Sequence, residues 1–302
     1  MKLAYDIVGD IHGHGNLLEK LLLKLGYSKR SGVFIHPKRK VIFCGDFIDR
    51  GSQNIKAVDI VMKMCENGEA FAIPGNHDLA YVQYHTKLPG SDQMIIPKNP
   101  AYDRMFFNTA IEFNQAPDFK AQYIDWIKEL PLFIENEYFA VYHGFRSENY
   151  SALLTQDNEI MNFNAALLNF EKYRLAIDLI SKSVSAWVAY REHDIKKVER
   201  IRIKWWKNKK CVESLDDLFM SKSNQNKITL VDSELNTNHN FYPYLTHEKP
   251  LFLGHFCIRE KHGIVQPNIC IIDLCVIKTG RLAAYRFDGE SILQKEKIVY
   301  VQ

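Results

Sequence analysis

Cysteine, glycine and proline are all scarce in this 302-residue chain, and each shortage removes a class of protein. The six cysteines, Cys44, Cys65, Cys211, Cys257, Cys270 and Cys275, are scattered and form no CxxC pair. They lack the spacing of a CxxC metal site and the density of a disulfide-stapled secreted domain, so reduced cytosolic thiols are expected. Fifteen glycines and ten prolines are too few for a collagen-like or mainly disordered polypeptide. No apolar run approaches about 18 residues, which excludes a membrane-spanning helix from the expectations. Met1-Lys2 runs straight into LAYDIVGDIHG, unlike a cleavable signal, and the expected location is cytoplasmic. Charge of one sign is lacking too: 39 basic against 36 acidic residues leave +3, which by itself implies no polyanionic partner. What remains is a chain 46% hydrophobic, long enough to bury a sizeable core.

LAYDIVG at 3–9 is a short apolar run, and NLLEKLLLKLG at 16–26 carries a helical apolar face closed by glycine. The strand, loop, helix cycle recurs with KVIFCG at 40–45, a turn at 46–52, a helix over 53–66 and EAFAIPG at 69–75. Such crossovers predict a parallel sheet whose loops at the carboxyl ends of strands form the binding site. Farther on, a helix ends near Leu130-Pro131, a hairpin spans 133–144 and an amphipathic helix covers 162–180. Strand-like runs return at 251–255, 268–277 and 281–289. The pattern predicts an α/β fold, one α/β/β/α sandwich over 1–302 with a helical insertion at 150–248, and an exposed loop at 221–227.

Residues 191–210 hold nine Lys/Arg and three Asp/Glu around Trp205 and Trp206, a local charge of +6. One reading makes this a nucleic-acid-binding module, with cations on phosphate and aromatic side chains on bases. The other is a helix with a solvated basic face and two packed tryptophans, which leaves nucleic acid an unfavoured partner.

The chemically informative residues are distributed: GDIHG at 9–13, GDFIDRG at 45–51, GNHD at 75–78, YHG at 142–144 and GHF at 254–256. Each of the first three follows a strand-like run, so strand ends can gather carboxylate, amide and imidazole groups at one sheet edge. Asp, His and Asn together suit borderline divalent metals. Asp10 and His12, two apart, can approach one ion; Asp46 can serve two, with Asn76, His143 and His255 completing the second side.

These motifs resemble those of the calcineurin-like metallophosphoesterase superfamily, in particular its bacterial-type phosphoprotein phosphatase and symmetrical dinucleoside-tetraphosphatase branch. The resemblance implies a calcineurin-like four-layer α/β/β/α sandwich. It implies one metal site of Asp10, His12 and bridging Asp46, and a second of Asp46, Asn76, His143 and His255. It further implies His77 as catalytic histidine, Asp49 as its orienting carboxylate and Arg50 as a catalytic, phosphate-binding arginine. Two cations would acidify a water for direct attack on phosphorus, with no phosphoenzyme. Arg146, just beyond His143, is a further substrate-binding candidate, and Arg191 could enter from the insertion.

The substrate signals are mixed. GDFIDRG keeps the second Asp of the phosphoprotein-phosphatase motif, whereas GNHD rather than GNHE is closer to the dinucleotide branch. The expected activity is hydrolysis of a phosphomonoester on a phosphoprotein or small phosphorylated compound. Symmetrical cleavage of a dinucleoside tetraphosphate is the enzyme alternative. The donor set favours Mn or a mixed Fe/Mn, Fe/Zn or Ni-containing pair over a purely oxygen-ligated Mg site.

Overall fold

The computed structural model describes residues 4–192, 195–207, 218, 220, 229–230, 244–260 and 262–302. The side chain of Arg191 and the 221–227 loop, both singled out above, lie outside the described residues, as does Cys211.

Two five-stranded mixed sheets carry the architecture. In spatial order the first contains Ile298–Val301, Leu282–Phe287, Tyr5–Val8, Lys40–Phe43 and Ala70–Ala72. Its three N-terminal strands are parallel, as the repeated crossovers predict, while the two C-terminal strands join antiparallel. The second sheet runs Ile264–Gln266, Ile269–Ile271, Leu251–Leu253, Ala140–Tyr142 and Ile134–Glu135, parallel through its central three. The hairpin expected over 133–144 forms one edge, as Ile134–Glu135 and Ala140–Tyr142.

Period-two alternation decides which layer each side chain joins. Ile7, Ile42, Val141, Phe252, Cys270 and Tyr285 meet in one buried cluster between the sheets. Their strand neighbours Val8, Val41, Phe43, Ala140, Leu251 and Ile269 belong to the helix-facing core. On the first sheet that core includes Leu18, Leu21 and Leu22 from Gly15–Lys24, and Val58 and Val61 from Asn54–Glu66, the i, i+3, i+4 stripes of two amphipathic helices. Strands apolar on both faces can be stable only with both faces covered, and the result is the four-layer α/β sandwich with helical regions that the pattern predicts. Each such fully buried aliphatic side chain contributes about 1.5–3 kcal/mol.

Three expectations are corrected. The 162–180 helix is two, Phe163–Leu167 and Phe170–Lys182. Between them Leu168 is 86% exposed, and the flanking asparagines favour caps and turns over helix interiors. The strand at 268–277 stops at Ile271, and a helical turn, Val276–Thr279, opens at left-handed Cys275. A short apolar run does not by itself distinguish strand from buried helical turn. The basic segment begins as a hairpin of Ser185–Glu192 and Ile195–Arg202, not a helix, with β-branched residues at 195, 198 and 201. Trp205 and Trp206 are packed as expected, each 2% exposed, edge-on to Phe145 and Phe256. Neither indole offers a face for base stacking, which removes the aromatic half of the nucleic-acid reading.

The thiols also differ from expectation. Cys257 and Cys275 are joined by a disulfide, while Cys44, Cys65 and Cys270 are free. Their separation of 18 residues carried no spacing signal; the fold brings the ends of two loops together. Among the described residues no helix is long and apolar enough to cross a membrane.

Candidate dinuclear metal centre

Every motif leaves a strand at its carboxyl end. Asp10 and His12 follow Tyr5–Val8, Asp46 follows Lys40–Phe43, and Asn76 and His77 follow Ala70–Ala72. His143 and His255 follow Ala140–Tyr142 and Leu251–Leu253 on the other sheet. The structure brings all seven side chains together. Nε2 of His12 lies 3.6 Å from Asp46 Oδ2 and 4.0 Å from Asp10 Oδ2. Nε2 of His143 lies 3.3 Å from both Asp46 Oδ2 and Asn76 Oδ1. His255 Nδ1 is 2.6 Å from Asn76 Oδ1, and its backbone N–H donates to Asp10.

The ring tautomers are set from behind. His12 Nδ1 donates to the Ile48 carbonyl (3.1 Å) and His143 Nδ1 to the Cys44 carbonyl (2.7 Å). Each leaves Nε2 turned toward Asp46, the arrangement typical of metal-ligating imidazoles. Donor atoms of His12, Asp46 and His77 lie within 4.8 Å of one another, as do those of Asp46, His143 and His255. Asp46 belongs to both groups, so the set divides naturally between two cations. The fit is supported independently: His255 Nε2 is buried without a hydrogen-bond partner among the described residues. Such an atom costs about 1–3 kcal/mol unless something occupies it.

The charges fit as well. Burial opposes the ionisation of Asp46, yet His143, His77 and His12 outweigh it and hold its carboxyl well below the usual range. Burial likewise opposes a proton on His143, but Asp46 and Asp10 raise its pKa to about 10. Burial and then Asp273 raise Asp10, while burial lowers His12 to about 4. His143 thus faces the shared Asp46 carboxylate as a cation, a place where a divalent ion would supply the charge instead.

Local backbone geometry is unusual where these side chains sit. His12, Asp46, Asp49, Arg50 and His255 are left-handed, with φ between 45 and 74°. Gly75 has an ordinary φ of −90°, but a Cβ there would overlap Asp46 Oδ1. That glycine serves close approach rather than conformational freedom. Asp78 ties the loops: it accepts from the N–H groups of Asp46 (2.7 Å), Phe47 (3.0 Å) and Gly75 (2.8 Å) and from the Tyr123 hydroxyl (2.7 Å).

His77 Nδ1 donates to Asp49 Oδ2 at 2.6 Å, which leaves Nε2 for the site. Arg50 is exposed beside His12 and His77. Arg146 is committed elsewhere: its guanidinium pairs with Glu135 (2.9 Å) and Glu248 (3.3 Å) and lies over Tyr244. The sequence reading missed Arg202, from the hairpin in the insertion. Its Nη1 donates to the His255 carbonyl at 2.9 Å, and it interacts with Asp273, Asp46 and Asp10. Nothing in the RIRIKWW pattern distinguished it from Arg200; only the strand register turns it toward the metal residues.

Comparison with known proteins agrees in outline. The asymmetrical bis(5'-nucleosyl)-tetraphosphatase PrpE of Geobacillus sp. (strain WCH70) is 47% identical over 76 residues, 25% of this chain and 31% of the relative. The protein of the same name from Oceanobacillus iheyensis is 44% identical over 76 residues, 25% and 30% of the two chains. The chain therefore matches less than a third of the length of these relatives. Their designation is asymmetrical, which corrects the expected placement with symmetrical tetraphosphatases; short motifs shared across branches do not encode where a polyphosphate is cut. The cold-active protein-tyrosine phosphatase of a psychrophilic Shewanella shares the fold at TM-score 0.52 and 16% identity, covering 100% of this chain and 81% of that one. The family profile described as calcineurin-like phosphoesterase matches residues 4–215. A match of that extent makes this chain a member of the calcineurin-like phosphoesterases, with two candidate metal-holding groups that share Asp46.

Proposed function

We propose that the enzyme hydrolyses a phosphomonoester on a phosphoprotein or small phosphorylated compound. Asp10, His12 and Asp46 hold one divalent cation, and Asp46, Asn76, His143 and His255 the other, with Mn or a mixed Fe/Mn, Fe/Zn or Ni-containing pair suited to the donors. When bound, the pair supplies Lewis-acid charge at the phosphoryl oxygens and acidifies a water. Asp49 holds His77 so that Nε2 can give its proton to the leaving oxygen as the ester bond breaks. Arg50 and Arg202 offer fixed, charge-assisted hydrogen bonds to the phosphoryl oxygens.

The observation that carries the reading is the shared Asp46 carboxylate between two groups of buried donors, one ending in the partnerless His255 Nε2. Residues 150–248 act as a specificity insertion within one domain over 1–302. In support, Arg202 reaches His255, and Trp205 Nε1 donates to the carbonyl of Gly144, beside His143.

The relatives' names favour a second reading, asymmetrical hydrolysis of a dinucleoside polyphosphate. Parallel assays on a phosphopeptide, a small phosphomonoester and a dinucleoside tetraphosphate separate the two. Inorganic phosphate from the monoesters supports the first reading. Unequal nucleotides from the third substrate, with the monoesters untouched, reject it.

A further inference from the structure

The motif supplies Asp49 and His77, but one of the two carboxylate oxygens of Asp49 is not on the histidine. That oxygen, Oδ1, accepts the hydroxyl proton of Thr109. The same hydroxyl oxygen accepts the Asp49 backbone N–H at 3.1 Å, so one side chain binds Asp49 at both its carboxylate and its amide. Thr109, Asp49 and Asn54 are each fully buried. No water can replace a partner lost there without rearrangement.

Thr109 belongs to a short helix, Phe107–Phe113, outside every motif read from the sequence. Its neighbours grip the same loop. Asn108 Nδ2 donates to the Arg50 carbonyl at 2.7 Å. Glu112 accepts from the backbone N–H groups of Asn54 (2.7 Å) and Ile55 (2.9 Å) and from Asn54 Nδ2 (2.6 Å). Asn54 Oδ1 in turn accepts the Asp49 N–H at 2.8 Å. The two residues so held, Asp49 and Arg50, have φ of 74 and 69°. A backbone in that region persists when its surroundings over-determine it.

We infer that Thr109 is a positioning residue for the reaction, fixing the Asp49 carboxylate so that its other oxygen holds His77 with Nε2 toward the leaving group. The inference rests on the reading of His77 as proton donor. Thr109 touches neither substrate nor cation. It acts through Asp49, and the helix carrying it is a buttress of the site rather than part of its rim.

The test uses leaving-group dependence, which separates positioning of an acid from general damage. An alkyl phosphate needs a proton at its leaving oxygen; p-nitrophenyl phosphate, whose leaving oxygen is a weak base, needs far less help. Thr109→Val keeps the shape and removes the hydroxyl. The full-length, metal-loaded variant is expected to lose about 10–100-fold in kcat on the alkyl ester, the scale of outer-shell partners. The loss on the nitrophenyl ester stays below about 3-fold, and KM is unchanged. Thr109→Ser restores the alkyl-ester rate. The proton NMR resonance of His77 Nδ1–H, read without substrate, shifts or broadens in Thr109→Val and is retained in Thr109→Ser.

If Thr109→Val fails to fold by thermal melting, Thr109→Ala carries the same measurements. Equal losses on both esters with an unmoved His77 resonance, or no loss on either, overturn the inference. His77→Asn is the control on the underlying reading. If that variant slows both esters equally, His77 is not the acid. The resonance in Thr109→Val still decides whether Thr109 positions the histidine.

Discussion

Two arginines give the most discriminating prediction, because the proposed mechanism gives them opposite roles. Arg202 reaches the metal residues, with one N–H on the His255 carbonyl and Asp273, Asp46 and Asp10 nearby. Arg146 stands between Glu135 and Glu248. Arg202→Met removes the proposed charge-assisted contact to a phosphoryl oxygen, worth about 1.5–3 kcal/mol. At about 1.4 kcal/mol per decade, kcat/KM falls about 10–150-fold. Competitive inhibition by inorganic phosphate weakens by a similar factor, because the same contact is lost. Arg202→Lys keeps the charge without the planar fork and falls between.

Arg146→Met should invert this profile. Its side chain is 11% exposed, against 17% for Glu135 and 25% for Glu248. Breaking a fully buried pair costs about 3–5 kcal/mol, and partial solvation of both carboxylates reduces this to about 2–3. At about 2 °C per kcal/mol the melting temperature drops by about 5 °C, while kcat/KM of the folded enzyme changes less than about 3-fold. Steady-state kinetics with phosphate inhibition and calorimetric melting read both variants. An Arg202→Met enzyme with unaltered phosphate inhibition, or an Arg146→Met enzyme of wild-type stability and weakened phosphate binding, refutes the assignment.

The remaining predictions concern the metal residues and their supports. Asp46→Asn lowers bound cations below two per chain by metal analysis and costs at least about 100-fold in turnover; two retained cations with full activity contradict the shared-ligand role. Asp78→Asn turns an amide N–H2 toward donors that the carboxylate satisfied, costing about 3–5 kcal/mol in denaturant unfolding; wild-type stability would mean the loops do not depend on it. Burial lowers the pKa of His85 to about 4, with Lys120 and Lys98 reinforcing it. The unfolded chain then binds the proton more readily, so this contribution to stability is complete above about pH 6.5 and is lost progressively as pH falls toward 4. His85→Gln flattens that acid limb, and identical limbs in the two proteins would rule the contribution out. Peptide mapping without reductant should recover Cys257 joined to Cys275; both cysteines alkylated in the folded protein would reject the bridge.

The sequence foretold the layers and the gathering of the proposed metal-binding side chains for the same reason: both follow strand ends. Apolar runs two-sided enough to be buried, closed by a Gly-Asp, Gly-Asn or Gly-His step or, at Tyr142, by a His-Gly step, mark where a sheet delivers a polar side chain to its rim. Asp10, Asp46, Asn76, His143 and His255 were legible on that basis. Thr109 and Arg202 were not, nor was the loop-tying role of Asp78, although it stands within GNHD. Thr109 sits on a two-turn helix whose apolar Phe107 and Ile111 are exposed, and the helix Asn76–His85 is buried over almost all of its surface, so in neither did an apolar stripe mark the buried polar side chain. Arg202 is one of several basic residues at alternating positions, and only the pairing Ser185↔Arg202 decides its face. Local signals report what a strand end carries. They do not report which distant side chain holds it there.

That distinction follows from the energetics of the site. A left-handed residue other than glycine costs on the order of 1–2 kcal/mol, and five of the ten residues proposed for metal, acid or phosphate roles adopt that conformation. Their combined cost is comparable to the net stability of a typical domain, so the loops could not keep this shape alone. They keep it by bonding to one another. The N–H groups of Ile11 and His12 donate to the Asp46 carbonyl, Gly13 to Phe47, and Gly51 to His12. Asp78 closes the second loop onto the third, and Thr109, Asn108 and Glu112 close it from outside. Apart from the local bond of Gly75 to Asp78, each lies between segments far apart in the chain, so no single loop holds the geometry of the donors. The pre-organisation that chemistry needs is therefore stored in cross-loop hydrogen bonds, and substitutions at these buttresses should impair turnover without removing any group that meets the substrate.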